Sequence, residues 1–331
     1  MMNKSKIDWC DFSWNPVTGC RMGCPYCYAA KQSQRFSGDV RLNKMSPQMQ
    51  HDSDDRYILD APFMNNAKGR VIPCPAGFEP TLHRYRLPMP AQKKKPANIF
   101  TCSMADLMAP WTPAKWIVDV YDACEAAPWH NYLFLTKYPQ RYEQLDTLAL
   151  LPHLENFWYG ATITRSVELD RMRYFPQGVN RFISIEPILE PIDFDSRPPV
   201  DWIIVGAETG NRREKVKPEK RWIESIIKTA RSAGIPVLMK HSKELEKIWG
   251  KKLIQEFPAG LTRPADIPIP HCSECQHHKA EERHYDSVKD VTMMNHVCTH
   301  GTVHKRIPGR YARTSPSWCP IRKGDYQDGT Y

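Results

Sequence analysis

The sequence predicts an α/β fold: a partial or complete (β/α) barrel of the TIM type with a small Cys/His-rich C-terminal module. Between about residues 97 and 241, short β-rich apolar runs alternate with segments of helical periodicity, which is typical of a parallel sheet covered by helices. This alternation stops after Lys251, and four cysteines follow in the last sixty residues. We therefore expect the barrel over residues 1–250 and a linker with a metal-binding module over residues 251–331.

Six strands are predicted in the alternating region. They are Asn98–Ser103, Tyr132–Thr136, Phe157–Ile163, Arg181–Ile185, Trp202–Gly206 and Pro236–Lys240. Helices fit between most of them, at Pro113–Ala126, Gln140–Leu150, Val167–Tyr174 and Pro218–Ala233. The last helix is the clearest, because apolar residues recur on one face and Gly234 is placed to end it. One more strand before Cys20 brings the total to about seven βα units.

Composition and charge describe a globular protein. The 331 residues include 46 Lys+Arg against 37 Asp+Glu, a formal charge of +9, and 41% are hydrophobic. A chain of this length can bury roughly three quarters of its unfolded surface, which excludes a mainly disordered protein. No apolar run approaches the ~18 residues of a membrane span, and the N-terminal segment does not resemble a signal peptide. We therefore expect a cytoplasmic protein without a membrane partner.

The segment at about residues 66–97 is predicted to be an irregular basic insertion in the barrel. It contains six prolines and seven Lys or Arg residues against the single acidic residue Glu79. Such charges usually form a solvated face. The functional alternative is a loop that closes over an anionic or nucleotide-like substrate.

Three of the eleven cysteines, Cys20, Cys24 and Cys27, fall within eight residues. The cytosol keeps thiols reduced, so metal or redox chemistry explains them better than disulfides. Three thiolates at this spacing can bind three irons of a [4Fe–4S] cluster and leave the fourth iron open to activate a ligand. Gly19 and Gly23 would let the backbone wrap closely around it. A zinc site with a distant fourth ligand is the alternative.

The pattern Cys20-x3-Cys24-x2-Cys27, with Tyr26 as the aromatic residue before the last cysteine, resembles the signature of radical S-adenosylmethionine (radical SAM) enzymes. The resemblance implies that Cys20, Cys24 and Cys27 hold the cluster, whose open iron chelates the amino and carboxylate groups of the cofactor. It also implies that a 5′-deoxyadenosyl radical abstracts a hydrogen atom from the substrate, while the protein orients the reactants.

Further segments extend this resemblance over about residues 8–242 to the phage-associated radical SAM family. They are Trp14–Cys20, Cys102–Leu107, Phe134–Lys137, Phe157–Thr162, Ile183–Pro187 and Ile204–Gly210. The family includes queuine lyases, which cut queuine at its aminomethyl substituent and release a 7-deazaguanine base.

Polar residues follow almost every predicted strand, where the active site of a (β/α) barrel lies. They are Ser103, Asp106, Thr136, Lys137, Thr162, Thr164, Ser184, Glu186, Glu208, Thr209, Lys240 and His241. Any one of them could be an ordinary loop residue or a helix cap. Together with the cysteine loop they predict a lined pocket.

The charges of these residues suggest roles. The cofactor's amino group needs acceptors, its carboxylate needs a cation or hydroxyls, and its ribose diol pairs with a carboxylate. We assign to the cofactor Tyr26, Ser103, Thr136, Lys137, Ser184 and Glu186. Asp106 and Glu208 suit the adjacent N–H donors of a guanine-like base. Trp14 and Lys240 are further substrate candidates, and Glu186, Asp106 and Glu208 could exchange roles. The aromatic residues Phe12, Trp14, Tyr28 and Trp111 are the candidates for stacking on the base.

The C-terminal module carries Cys272, Cys275, Cys298 and Cys319 with histidines interleaved. A module of this size with few aliphatic residues gains most of its stability from a metal. Zinc or an auxiliary [4Fe–4S] cluster would suit these ligands. The alternative without a metal is a disordered tail with free cysteines.

We therefore expect a radical SAM lyase acting on a modified purine base, most specifically a queuine lyase that releases 7-aminomethyl-7-deazaguanine for queuosine salvage. The cofactors would be a [4Fe–4S] cluster and S-adenosylmethionine, with flavodoxin or ferredoxin as electron donor. A radical SAM enzyme that repairs or modifies DNA or RNA is one alternative. A zinc-dependent nucleic-acid-binding protein is the other.

Overall fold

The computed structural model describes residues 2–54, 56–65, 69–261, 278–286, 291–299 and 305–306. The chain divides into two compact units, Met1–Leu261 and Thr262–Tyr331. Within the described residues, no helix is both long and apolar enough to cross a membrane.

The first unit is built on one eight-stranded sheet whose strands follow the order of the chain. The strands are β1 (Met2–Lys4), β2 (Phe12–Trp14), β3 (Asn98–Thr101), β4 (Asn131–Thr136), β5 (Phe157–Thr162), β6 (Asn180–Ile185), β7 (Trp202–Val205) and β8 (Val237–Met239). Strand β1 is antiparallel to β2, and every later pairing is parallel. The predicted large parallel sheet is confirmed. In the described part of the chain β1 and β8 are edge strands, so the sheet is open and a closed barrel is not formed.

Seven α-helices are described. They are α1 (Tyr28–Arg35), α2 (Val40–Lys44), α3 (Met89–Gln92), α4 (Ala114–Glu125), α5 (Gln140–Thr147), α6 (Lys220–Ala233) and α7 (Lys243–Trp249). Shorter 3₁₀ segments lie at Arg84–Arg86, Ser166–Tyr174 and Ala259–Leu261. Helix α6 buries Ile223, Ile226 and Ala230 and ends at Gly234 with φ +66°, as expected. The helix predicted over Val167–Tyr174 is 3₁₀ instead. None of its residues is buried, and only the partly buried Leu169 and Met172 pack against the core.

Side chains alternate between the two faces of the large sheet. On the helix-covered face, Tyr132, Ile183 and Ile203 belong to the main core. The opposite face is filled near the strand starts by a second apolar cluster that includes Trp9, Phe100, Leu133, Trp158, Phe182, Trp202 and Leu238. Further along the strands, the same face changes from apolar to polar. Ser184 and Glu186 follow Phe182 on this face, and Lys240 follows Leu238. This face is therefore covered by apolar side chains at the starts of the strands and lined by polar side chains at their carboxyl ends.

The segment predicted as an irregular insertion is partly regular. Thr81–His83 is an inner strand of a four-stranded sheet with Val17–Thr18, Tyr57–Leu59 and Gln50–His51, and all three of its residues are buried. Met64–Asn65 and Arg70–Val71 pair as a hairpin, and residues 66–68 lie outside the described residues. A strand of three residues after Pro80 carries too little periodicity to be recognised from sequence.

The second unit contains an antiparallel pair, His278–Asp286 with Val291–Cys298, and the short strand Lys305–Arg306. The predicted metal ligands Cys272, Cys275 and Cys319 lie outside the described residues, and for Cys298 only the backbone is described. The metal in this module stays a prediction.

Candidate active site

A cavity of about 470 Å³ lies at the carboxyl ends of the parallel strands. Its lining includes Cys20, Cys24, Tyr26, Cys27, Ser103, Asp106, Thr136, Lys137, Ser184, Glu186, Glu208 and Lys240. The cavity lining thus includes all but one of the residues of the first unit that were assigned to the cluster, the cofactor or the substrate. Of the other stacking candidates, Tyr28 lines the cavity, whereas Phe12 and Trp111 do not. Thr162 and Thr209 line the cavity as well, whereas Thr164 and His241 do not.

Trp14 is the exception. Its side chain is 0% exposed, and its indole Nε1 donates to the carbonyl of Arg86 at 2.9 Å within the core. The structure corrects the prediction that Trp14 contacts a substrate, because its ring lies on the helix-covered side of the sheet. The cavity's aromatic floor is formed by Trp9 and Phe100, with ring centroids 4.5 Å apart.

The cysteine loop is held on both sides by backbone hydrogen bonds. The N–H of Gly19 donates to the carbonyl of Met104 at 2.9 Å, and the N–H of Cys20 donates to the carbonyl of Phe78 at 3.0 Å. Gly19 has φ +91°, and a Cβ there would lie 2.1 Å from the carbonyl oxygen of Glu79. Only glycine fits this position, because the backbone of Glu79 and Pro80 packs against it. The wrapping of this backbone around a cluster stays a prediction.

The three thiols have different surroundings. Cys27 caps the N-terminus of α1, and its sulfur accepts from the N–H of Ala30 at 3.4 Å. Burial raises the pKa of Cys20 to about 11, with a smaller contribution from Asp106. Burial also raises the pKa of Cys24, and the nearby Lys137 opposes that rise. A bound metal would remove these protons, because metal ligation deprotonates thiols.

The thiols suit an iron–sulfur cluster by residue type and by their common cavity. No three His, Cys, Asp or Glu side chains in the described part of the chain lie close enough to hold a single metal ion. A [4Fe–4S] cluster does not require that convergence, because each thiolate binds a different iron. Lys137 also lies beside Tyr26, with its Nζ 5.8 Å from the ring centroid, which puts a cation next to the cysteine loop.

Asp106 is held firmly by its neighbours. Its Oδ1 accepts from the hydroxyl of Thr136 at 2.5 Å, and its Oδ2 accepts from the N–H of Lys137 at 2.9 Å. Burial raises the pKa of Asp106, and the hydrogen bond from Thr136 opposes the rise. The carboxyl therefore braces the ends of β3 and β4 beside the cysteine loop.

Ser184 is a buried hydroxyl directed at the cavity. It is 1% exposed and lines the cavity, and its Oγ makes no hydrogen bond to the described residues. A buried polar group without a partner is costly, and a ligand in the cavity can satisfy it. Ser184 is therefore a ready ligand contact.

Asn15 and Arg86 hold this wall of the cavity in place. Sequence patterns did not identify either residue. The Oδ1 of Asn15 accepts from the N–H of Met104 at 2.9 Å and from the hydroxyl of Ser103 at 3.2 Å. Arg86, itself buried, donates to the carbonyl of Asn15 at 3.0 Å. Asn15 directly follows Trp14 in the motif that ends at Cys20, and that position was the only sequence signal for it.

Glu186 and Lys240 form an ion pair across neighbouring parts of the rim, with Nζ of Lys240 donating to Oε1 of Glu186. Gly206 makes room for this pair, because a Cβ there would lie 2.8 Å from Cγ of Glu186. The pair places one anion and one cation together in the cavity wall.

Glu208 is the third carboxylate of the cavity. Arg212 donates to it twice, from Nε to Oε1 and from Nη2 to Oε2, both at 2.7 Å. Arg212 holds the pKa of Glu208 below its ordinary value, and Lys215 and Lys31 add to that effect. Glu208 is therefore an ionised carboxylate with cations from both α1 and its own loop nearby.

A family model described as "Protein of unknown function (DUF5131)" matches residues 4–293. No curated protein matches the chain. Among solved structures, a double mutant of spore photoproduct lyase with bound AdoMet and dinucleoside spore photoproduct is 11% identical, with a TM-score of 0.40 over 86% of this chain and 69% of that chain. A cysteine-to-serine mutant of spore photoproduct lyase is 12% identical, with a TM-score of 0.38 over the same shares.

Proposed function

The chain belongs to the family "Protein of unknown function (DUF5131)", and from the side chains of its cavity we propose that it is a radical SAM enzyme. One observation carries the proposal: Cys20, Cys24 and Cys27 line the same cavity as the polar residues of the strand ends. A three-cysteine cluster at this place would present its open iron to whatever those polar groups bind.

In this proposal Cys20, Cys24 and Cys27 hold the [4Fe–4S] cluster. When bound, the cluster and S-adenosylmethionine supply a 5′-deoxyadenosyl radical that abstracts a hydrogen atom from the substrate. The pKa of Cys20 is raised mainly by burial, so its proton is released when the cluster is loaded and loading is favoured by higher pH.

The remaining residues bind and orient the cofactor. Lys137 offers a cation for the methionyl carboxylate, and the hydroxyls of Ser103 and Ser184 offer hydrogen bonds to its polar atoms. Glu186, held by Lys240, offers a carboxylate to the ribose diol. Thr136 acts through Asp106, since its hydroxyl is directed at that carboxyl. Trp9, Phe100 and Leu135 close the floor of the cavity against water.

The proposed substrate is a modified purine base, and the specific reaction is queuine cleavage that releases 7-aminomethyl-7-deazaguanine. Glu208 supports this choice, because an ionised carboxylate in the cavity suits the adjacent N–H donors of a guanine-type base. Hydrogen abstraction would occur on the substituent, and cleavage of a C–N bond would follow. The nitrogen radical left by that cleavage would take one electron from the reduced flavodoxin or ferredoxin and one proton, which gives the free amine. The proposed setting is the cytoplasm, with reduced flavodoxin or ferredoxin as electron donor and zinc or a second cluster in the C-terminal module.

To test this, the full chain is reconstituted anaerobically with iron and sulfide and then reduced. It is incubated with S-adenosylmethionine in the presence or absence of queuine, and the products are separated by chromatography. We expect 5′-deoxyadenosine that increases with queuine and appears together with 7-aminomethyl-7-deazaguanine. Formation of 5′-deoxyadenosine that queuine leaves unchanged would contradict the substrate and direct the search to DNA or RNA. Its absence from an iron-loaded sample would contradict the radical mechanism, and stoichiometric zinc without iron would favour a zinc protein.

A further inference from the structure

The pair formed by Glu208 and Arg212 combines a fixed carboxylate with a removable cation. The Glu208 side chain is 2% exposed, whereas that of Arg212 is 24% exposed. Glu208 follows β7 directly and lines the cavity, but Arg212 belongs to the loop that comes after it. The arginine can therefore leave toward solvent, while the carboxylate stays in place.

Asp106, the other candidate reader of a purine edge, differs in this respect. Its two oxygens are occupied by the hydroxyl of Thr136 and the backbone N–H of Lys137, donors that belong to the strand end itself. These donors cannot move away without breaking the end of β4. Of the two carboxylates, only Glu208 can exchange its partner for a ligand.

A guanidinium presents two parallel N–H donors in one plane, and these bind a carboxylate as a fork. The Watson–Crick edge of a guanine-type base presents the same arrangement, with a ring N–H beside an exocyclic amino group. We propose that Arg212 is an internal surrogate for that edge, which occupies Glu208 until a guanine-type base displaces it. This inference rests on the proposed function, because it assigns the substrate class within the same cavity.

The exchange needs only a turn of the Arg212 side chain. Lys215 anchors the end of the loop, with Nζ donating to the carbonyl of Gly210 at 3.1 Å and to Glu244 at 2.5 Å. When the base displaces Arg212, its two N–H donors take over the hydrogen bonds to Glu208, and Lys215 and Lys31 still lower the pKa of this carboxyl against burial, which raises it. A neutral base can thus replace the arginine without leaving an isolated buried charge.

The surrogate also sets specificity. A base must offer two adjacent donors to replace both hydrogen bonds of Arg212, so a hypoxanthine-type base with a single donor competes poorly. A base cannot bind Glu208 while Arg212 occupies it. The apparent affinity for a base is therefore the intrinsic affinity multiplied by the fraction of molecules in which Glu208 is open. Removal of Arg212 should therefore tighten the binding of all bases that use Glu208.

The experiment measures dissociation constants of queuine, guanine and hypoxanthine by equilibrium dialysis, with wild type, Arg212→Ala, Arg212→Lys and Glu208→Gln. Lysine keeps the charge but cannot form the fork, so Arg212→Lys tests the geometry if Arg212→Ala is unstable. We expect queuine and guanine to bind about tenfold more tightly to both Arg212 variants than to wild type. Hypoxanthine should bind more weakly than guanine throughout, and Glu208→Gln should lose the preference for guanine.

Weaker or unchanged binding of guanine and queuine in folded Arg212 variants would overturn the inference, as would the absence of binding to every protein. Binding is measured without reduction, so it is independent of cofactor cleavage. If wild type forms 5′-deoxyadenosine with queuine but the Arg212 variants bind it less tightly, the inference fails alone. If the variants bind guanine more tightly but no protein cleaves S-adenosylmethionine, the proposed function fails and the binding site remains.

Discussion

The Oδ1 of Asn15 accepts a hydrogen bond from the hydroxyl of Ser103 at 3.2 Å, which ties the residue after β2 to the loop after β3. The same oxygen accepts from the N–H of Met104 at 2.9 Å, and the carbonyl of Met104 accepts from Gly19 beside the first cysteine. One amide side chain thus fixes both a proposed cofactor contact and the backbone that supports the cysteine loop.

Replacement of Asn15 with Ala should reduce both stability and cofactor affinity. The partly buried N–H of Met104 would lose its partner, which costs about 1 kcal/mol or more. Ser103 would no longer be held toward the cavity. Urea unfolding and the dissociation constant of S-adenosylmethionine in the reconstituted protein measure the two effects.

Asn3→Ala is the control for Asn15→Ala, because the Asn3 side chain is exposed on the edge strand β1. We expect it to match wild type in both measurements. A loss of stability in Asn15→Ala with unchanged cofactor affinity would show that Asn15 supports the fold but does not position Ser103.

Ser184→Ala should weaken cofactor binding without destabilising the protein. Its Oγ is buried and makes no hydrogen bond to the described residues, so its removal should leave the free energy of unfolding equal or higher by up to about 1 kcal/mol. Loss of one hydrogen bond to the cofactor should raise its dissociation constant roughly five- to tenfold. Thermal unfolding and cofactor titration test the two parts.

Thr101→Val is the matched control for Ser184→Ala. The hydroxyl of Thr101 is also buried without a partner among the described residues, but Thr101 does not line the cavity. The same change in stability is expected, with no change in cofactor affinity. Wild-type affinity in Ser184→Ala would contradict the proposed contact.

Local patterns predicted the strand ends because a parallel sheet places consecutive carboxyl ends at one edge. Ser184 and Glu186 could be assigned to the cavity face since they continue the alternation that begins at Phe182. Trp14 could not be assigned in this way. Its pairing with Thr101 puts it on the other face, and that register is invisible in a single sequence.

Long-range contacts account for most of what sequence reasoning missed. Arg86 reaches Asn15 across 71 positions, and His83 reaches Thr18 across 65. Contacts between residues so far apart in the sequence leave no periodic pattern. They depend on how the Pro-rich segment around Arg86 folds back onto the residues before Cys20. The pair of Glu208 and Arg212 is different, since its spacing of four residues was available in the sequence.

Gly160→Ala should destabilise the first unit. A Cβ at Gly160 would lie 2.3 Å from the ring of Phe182, which fills the cavity-side face of the sheet at the next strand. Overpacking of this kind costs about 1–3 kcal/mol. The free energy of unfolding from urea titration measures the loss, and the double variant Gly160→Ala/Phe182→Leu should recover part of it.

Gly260→Ala provides the comparison, because a Cβ there would lie at ordinary contact distance, 3.4 Å from the ring of Trp158. We expect a change within about 0.5 kcal/mol, as for most exposed substitutions. Equal effects of the two substitutions would contradict the packing argument.

His83 should make the first unit sensitive to acid. Burial holds the pKa of His83 well below its ordinary value, with Arg86 adding to the effect. The unfolded chain takes up this proton at the ordinary pKa of about 6.5, whereas the folded chain does not. Stability is therefore complete above that pH and falls as the pH drops below it, by up to about 1.4 kcal/mol per pH unit.

Unfolding free energies of wild type and His83→Gln between pH 7.5 and 5 test this prediction. The variant should show a shallower acid slope, because glutamine does not titrate. Burial also lowers the pKa of His130, which contributes equally to both proteins and cancels in the comparison. Parallel slopes for wild type and His83→Gln would contradict the assignment.

Cys24→Ala should abolish cleavage of S-adenosylmethionine. Two remaining thiolates in the loop cannot hold a cluster with one open iron, so iron content should fall by about four per chain. The metal predicted in the C-terminal module should stay bound, because none of its candidate ligands belongs to this loop. Iron, sulfide and zinc analysis and the formation of 5′-deoxyadenosine measure these effects.

Cys124→Ala separates loss of the cluster from loss of a cysteine. Cys124 is fully buried in α4, and its contacts are those of a small apolar residue. The substitution should lower the free energy of unfolding by about 1 kcal/mol while the iron content and cofactor cleavage stay at wild-type levels. Cleavage retained in Cys24→Ala, or lost equally in Cys124→Ala, would show that the loop from Cys20 to Cys27 does not hold the reactive cluster.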